Sequence, residues 1–141
     1  MNEREIDQKK KRFEVKTFPI PFTLEEIKEN ISINTTNKAY KEQIFNQALR
    51  LHSQGNISEA AKYYQYFINQ GFKDQIVFSN YGIILRNLGK SKEAELLTRK
   101  AIELNPNFAE AHYNLGNILS DLGKLQEAEL SQRKAIELNP N

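Results

Sequence analysis

The chain has 141 residues, 39% of them hydrophobic, with 20 basic and 18 acidic residues giving a net charge of +2, and no cysteine. No apolar run is long enough to span a bilayer, the charged start MNEREIDQKKKRFEVK lacks the apolar stretch of a secretory signal, and without thiols there is no disulfide framework or cysteine metal site. The only basic run, Lys9-Lys10-Lys11-Arg12, is diluted by Glu3, Glu5, Asp7 and Glu14 into a solvated arm, so nucleic acid is not an expected partner, and neither is a membrane; a cytoplasmic protein is expected.

Residues 1–38 are expected to form a flexible arm. The first 17 are polar with isolated apolar residues, and Phe18-Pro19-Ile20-Pro21-Phe22 then runs extended, because alternate prolines exclude helix. Thr23 followed by Glu26 has the form of a capping box, which predicts a short helix near 24–30, apolar at Leu24, Ile27 and Ile31. The linker SINTTNK, residues 32–38, offers several N-caps for the next helix. Six helices are expected beyond it, at roughly 40–53, 58–70, 75–88, 91–104, 109–122 and 125–138.

The second half of the chain repeats itself. Residues 75–107 and 109–141 align at an offset of 34 and share Gly82/Gly116, Leu88-Gly89-Lys90/Leu122-Gly123-Lys124, Glu93-Ala94-Glu95-Leu96/Glu127-Ala128-Glu129-Leu130 and a closing RKAIELNPN. That period belongs to stacked helical hairpins, each unable to bury its apolar face alone. A divergent third copy at 41–74 keeps Gly55 and Ala60 but has Ala48 for the mid-helix glycine and Phe67 for Ala101 and Ala135. Glycine inside a helix costs about 1 kcal/mol relative to alanine. Its recurrence at Gly82 and Gly116 predicts close approach of the hairpin's two helices, with Ala94 and Ala128 as small partners. Gly55, Gly89 and Gly123 are expected to end the first helices in the left-handed conformation; Pro106 and Pro140, or Gly71 in the first copy, should end the second helices.

These residues resemble the tetratricopeptide repeat, over 41–141. The family positions are met by Phe78, Tyr81, Gly82, Leu85, Ala94, Ala101 and Pro106, and again by His112, Leu115, Gly116, Leu119, Ala128, Ala135 and Pro140. The aromatic expected late in the second helix is kept as Tyr64 but becomes Thr98 and Gln132, which weakens packing at those joints. The resemblance implies an all-α, right-handed superhelical solenoid of three helix-turn-helix repeats, at 41–74, 75–108 and 109–141, acting as a protein-interaction scaffold.

It also implies that first helices line a concave groove. The groove positions are then Glu42, Phe45, Asn46, Leu49 and His52; Ile76, Ser79, Asn80, Ile83, Arg86 and Asn87; and Glu110, Tyr113, Asn114, Asn117, Ser120 and Asp121. Asn46, Asn80 and Asn114 stand 34 apart as a ladder whose amides suit the alternating C=O and N–H groups of an extended peptide. Phe45, Leu49, Ile76, Ile83 and Tyr113 would add apolar contact, and Arg86 and Asn117 polar contact. The family's clamp for C-terminal carboxylates wants basic residues where Phe45, Glu110 and Asn114 stand, so only Arg86 is left for an acidic group.

No catalytic constellation, cofactor site or metal site is expected. Gly89-Lys90-Ser91 lacks the upstream glycine of a phosphate-binding loop, since Ile84 is there, and recurs as Gly123-Lys124-Leu125 in a helix turn. His52 and His112 have no matching acidic or cysteine pattern, and Glu93, Glu95, Glu127 and Glu129 are expected to be a solvated face. The chain is therefore expected not to be an enzyme, the alternative being the recruiting, substrate-recognition region of a larger one such as a transferase. Nothing after the third repeat caps it, which predicts either further chain beyond 141 or self-association through the surface around Leu130, Ile136 and Leu138.

Overall fold

The computed structural model describes residues 37–141, so the expected arm, its capping box at 23–26 and the short helix near 24–30 lie outside the described residues. The chain forms two compact units, one running to Gly71 and the other from Phe72. All six described elements are α-helices, paired into three hairpins. The architecture is an all-α helical repeat.

In the first unit α1 (Asn37–Ser53) packs along α2 (Ile57–Asn69). Helix α1 opens at Asn37, three residues earlier than expected, using the end of the polar linker. Its buried residues are Ile44 and Ala48, four apart on one face; α2 contributes Ala60, Tyr63, Tyr64, Tyr66 and Phe67. Three buried tyrosines on one helix are tolerable when their hydroxyls find partners. The Tyr64 hydroxyl meets His52 Nδ1 at 2.8 Å, and the Tyr66 hydroxyl pairs with that of Tyr40.

The second unit stacks two hairpins, α3 (Gln75–Asn87) with α4 (Ser91–Leu104), and α5 (Ala109–Asp121) with α6 (Leu125–Leu138). Helix α4 lies against both α3 and α5, so its buried face, Ala94, Leu97, Thr98 and Ala101, joins the hairpins. Helix α3 begins where Asp74 Oδ1 accepts from the backbone N–H of Ile76 and Val77 at 2.8 and 3.2 Å. Such an N-cap satisfies orphan donors of the first turn.

The three hairpin turns are one motif repeated. Gly55, Gly89 and Gly123 have φ of 76°, 76° and 74°. Asn56, Lys90 and Lys124 each donate a backbone N–H five residues back, to Leu51, Leu85 and Leu119, at 2.9, 2.8 and 2.8 Å. This is a Schellman ending, and glycine takes its left-handed position without a Cβ penalty.

Gly82 and Gly116 do mark close helix contacts, though the main partners differ from those expected. A Cβ at Gly82 would fall 2.6 Å from Thr98 Oγ1 and 3.4 Å from the Ala94 carbonyl oxygen; one at Gly116 would fall 2.5–2.8 Å from the Gln132 side chain. Thr98 and Gln132 occupy the position where Tyr64 stands in the first hairpin. The lost aromatic therefore does not simply loosen the joint, because a smaller side chain sits over a glycine.

Candidate functional site

On α1, Asn46 is exposed and Phe45 and Leu49 are half-buried. Phe45 is turned onto the hairpin, its ring centroid 6.3 Å from that of Phe67, and Lys41 Nζ lies 5.7 Å from the Phe67 centroid. Of the other positions expected on this helix, Glu42 is exposed and His52 is occupied with Tyr64.

In the second unit, two polar rungs tie α3 to α5. Asn114 is buried, and its Nδ2 donates to the fully buried Ser79 Oγ at 3.0 Å. Two helical turns on, Arg86 donates from Nε and Nη2 to the two Asp121 carboxylate oxygens at 2.5 and 3.2 Å. The Arg86 bond holds the Asp121 carboxyl below its ordinary value, against a small opposing effect of burial. Both rungs join residues 35 apart, one more than the repeat length, because equivalent residues of repeated helices point the same way and the facing side chain is the next one round the helix. An offset-35 comparison of polar residues on first helices would have found these pairs; the 34-residue alignment could not.

The rungs change what the expected contact residues can offer. Asn114 has one amide donor committed inside the unit, and Arg86 is neutralised by Asp121. Asn117 Oδ1 accepts from Gln132 Nε2 at 3.0 Å, which also reaches the Tyr113 carbonyl at 3.3 Å. Asn80, Ile76 and Ile83 are half-buried; Tyr113 is 54% exposed, and Glu110 and Ser120 are exposed. On this wall the accessible chemistry is aliphatic, aromatic and amide, with slight acidity. Among the described residues no group of three His, Asp or Glu side chains is arranged to hold a metal, and no helix is long and apolar enough to cross a membrane.

The second-helix carboxylates are not all a solvated face. Glu95 accepts from Arg99 at 2.9 Å and from Lys124 of the next hairpin at 3.0 Å, while Arg99 also donates to Glu127 at 2.8 Å. This network fastens α4 to the start of α6. Partial burial pushes the Glu95 carboxyl up, but the bonds from Lys124 and Arg99 outweigh it and hold the group below its ordinary value of 4.5. A depressed carboxylate stabilises the fold fully above the unfolded value and loses that contribution as pH falls through the native one. Acid titration of unfolding should therefore show a loss below about pH 4.5 that Glu95→Gln flattens; an unchanged slope would refute the assignment.

A helical-hairpin repeat, with the two first helices of the second unit tied side by side, defines the class of this molecule. Two family models described as tetratricopeptide repeat match residues 77–108 and 97–129. The chain carries tetratricopeptide repeats. No curated protein matches it. Among solved structures it is similar to the first tetratricopeptide domain of Spaghetti (RPAP3) bound to the HSP90 peptide SRMEEVD, at 23% identity and a TM-score of 0.66, covering 78% of this chain and 86% of that one. The second such domain of Spaghetti, bound to the same peptide, is 22% identical with a TM-score of 0.66, covering 73% and 95%. The Sgt2 domain from Aspergillus fumigatus is 19% identical with a TM-score of 0.62, covering 78% and 72%. At these identities the likeness is one of fold.

Proposed function

We propose that the chain is a protein-interaction scaffold that takes an extended, neutral-to-apolar peptide segment along its first helices. The observation that carries this reading is the wall of the second unit, where Ile83, Asn80, Tyr113 and Asn117 remain wholly or partly accessible on helices held in fixed register by the Ser79–Asn114 and Arg86–Asp121 rungs. A prearranged wall saves ordering cost when a partner binds. Asn80 adds a partly accessible amide to this surface, and Ile83 and Tyr113 supply apolar contact. The first unit, taken by itself, presents Asn46 exposed on α1 with Phe45 and Leu49 half-buried beside it. Asn114 serves this surface indirectly, by holding α5 against α3.

Peptides selected on the intact chain from a random displayed library test this. Selected binders should lose roughly tenfold in affinity on Asn80→Ala, as expected for a buried hydrogen bond of about 1.4 kcal/mol, and Tyr113→Ala should cost at least as much. Retention of affinity by both variants, with helicity intact, would overturn the reading.

Charge makes a separate prediction. The Spaghetti domains hold an acidic heptapeptide, whereas the wall here exposes Glu110 and offers one arginine already paired with Asp121. SRMEEVD is expected to bind no better than its amidated analogue with glutamines for glutamates, measured by calorimetry at low salt. A clear preference for the acidic form would show that Arg86 leaves Asp121 to bind it.

A further inference from the structure

Asn117 has its side-chain orientation set from α6, the second helix of its own hairpin. Gln132 Nε2 lies 3.0 Å from Asn117 Oδ1 and 3.3 Å from the Tyr113 carbonyl oxygen. A backbone carbonyl only accepts, so Gln132 turns its amide nitrogen, with its N–H donors, toward α5. That nitrogen draws the Asn117 oxygen to itself and leaves Asn117 Nδ2 on the other side of the amide. Among the described residues Nδ2 has no partner, and it reaches solvent. Asn117 therefore presents donors outward.

The arrangement depends on Gly116. A Cβ there would fall 2.5–2.8 Å from Gln132 side-chain atoms, so the glycine lets the glutamine lie across α5 and reach both acceptors. The preceding hairpin is built differently: Ile83 and Thr98 stand at the corresponding positions, and Thr98 Oγ1 is buried without a partner among the described residues. The wall of the second unit is thus aliphatic on α3 and an amide donor on α5 at the same place in the repeat. A peptide lying on it meets apolar contact from one helix and a fixed donor from the other.

Given the peptide reading above, on which this assignment rests, we infer that Gln132 is a positioning residue for recognition. It holds Asn117 with its amide N–H groups outward, and these donate to a main-chain carbonyl of the bound segment. A neutral carbonyl fits this place better than a carboxylate. Glu110 is exposed two turns earlier on α5, and Arg86 is already paired with Asp121, so an acidic acceptor meets repulsion with no free cation to offset it. An amide left free to turn would offer oxygen or nitrogen equally; the bond from Gln132 removes that choice before the partner arrives, which lowers the ordering cost of binding.

The probe is the tightest peptide from the displayed library, resynthesised as a series in which each backbone amide in turn becomes an ester, which weakens the adjoining carbonyl as an acceptor. Titrated against the intact chain, one ester should cost about fivefold in affinity, the loss of one hydrogen bond. The same ester should cost nothing further on Asn117→Ala, and this double-mutant cycle separates the carbonyl from the N–H that the ester also removes. It should likewise cost nothing on Gln132→Glu, whose carboxylate accepts from Asn117 Nδ2 and turns the amide round. Gly116→Ala, which displaces Gln132 and keeps both amides in the sequence, should behave as Gln132→Glu does. An ester effect that persists in both of these variants would overturn the role of Gln132. A series with no ester-sensitive position under the control of Asn117 would overturn the carbonyl contact. Peptides that depend on Asn80 and Tyr113 yet show neither effect would defeat this assignment alone, whereas indifference to Asn80 and Tyr113 as well would end the peptide reading with it.

Discussion

Replacing Phe67 by alanine should remove about 3–5 kcal/mol of stability, the range for truncating a fully buried aromatic. Phe67 has no exposed surface, and the hairpin formed by α1 and α2 has few alternatives to fill its place: Ile44, Ala48, Ala60 and Tyr64 are also fully buried. Loss of the ring removes the partner of Phe45 and the aromatic face beneath Lys41 as well. Phe67→Leu keeps most of the volume and should cost less than half as much. Because repeat arrays are stabilised by local and nearest-neighbour terms, the loss should appear first in amide exchange of α1 and α2. Urea unfolding of both variants checks the ranking, and a Phe67→Ala loss below 1 kcal/mol would mean that Phe67 is not a core residue. The neighbouring Phe45 and Leu49 would then lose their positions as well.

Gly82→Ala and Gly116→Ala should differ, although the two glycines are equivalent in sequence. At Gly82 the new methyl would meet Thr98 Oγ1 at 2.6 Å. Thr98 is completely buried and β-branched, so it has nowhere to turn. Overpacking of this kind costs about 1–3 kcal/mol, which exceeds the gain of about 1 kcal/mol in helix propensity. At Gly116 the obstacle is the Gln132 side chain, which is only half-buried and has more rotatable bonds. Swinging away sacrifices its bonds to Asn117 and the Tyr113 carbonyl, roughly 1 kcal/mol, and the propensity gain offsets that. Gly82→Ala should therefore destabilise, while Gly116→Ala should be close to neutral.

Adding Thr98→Ala to Gly82→Ala supplies the control. It removes the clashing hydroxyl, which has no hydrogen-bond partner among the described residues, and should restore most of the lost stability. A double-mutant cycle reads this coupling directly. Additive losses would mean that the cost lies in the backbone at Gly82 and not in its contact with Thr98.

The family and the helix succession could be read before any coordinates, because both depend on local chemistry repeated at a fixed interval. The glycines at 55, 89 and 123 announce left-handed helix endings wherever they occur, and the apolar spacing of residues such as Ala60, Tyr64 and Phe67 is a property of one helix. Helix limits were accordingly legible to within three residues. The identities of the contact partners were not. The 34-residue alignment lines up Asn80 with Asn114, yet the amide of Asn114 meets Ser79, because equivalent side chains point the same way and cannot face each other across the seam.

That one-residue shift has chemical consequences. It gives Arg86 to Asp121, turning an apparent anion receptor into an internal strut. Glu95 and Glu127 likewise looked like independent surface charges, and the packing of α4 against α5 and α6 brought them onto one arginine. A linear pattern specifies which face of each helix is apolar, since that depends on spacing along one backbone. Which polar atoms meet across the seam depends on how each helix is turned toward its neighbour, and in this molecule only the packing of the helices decides that.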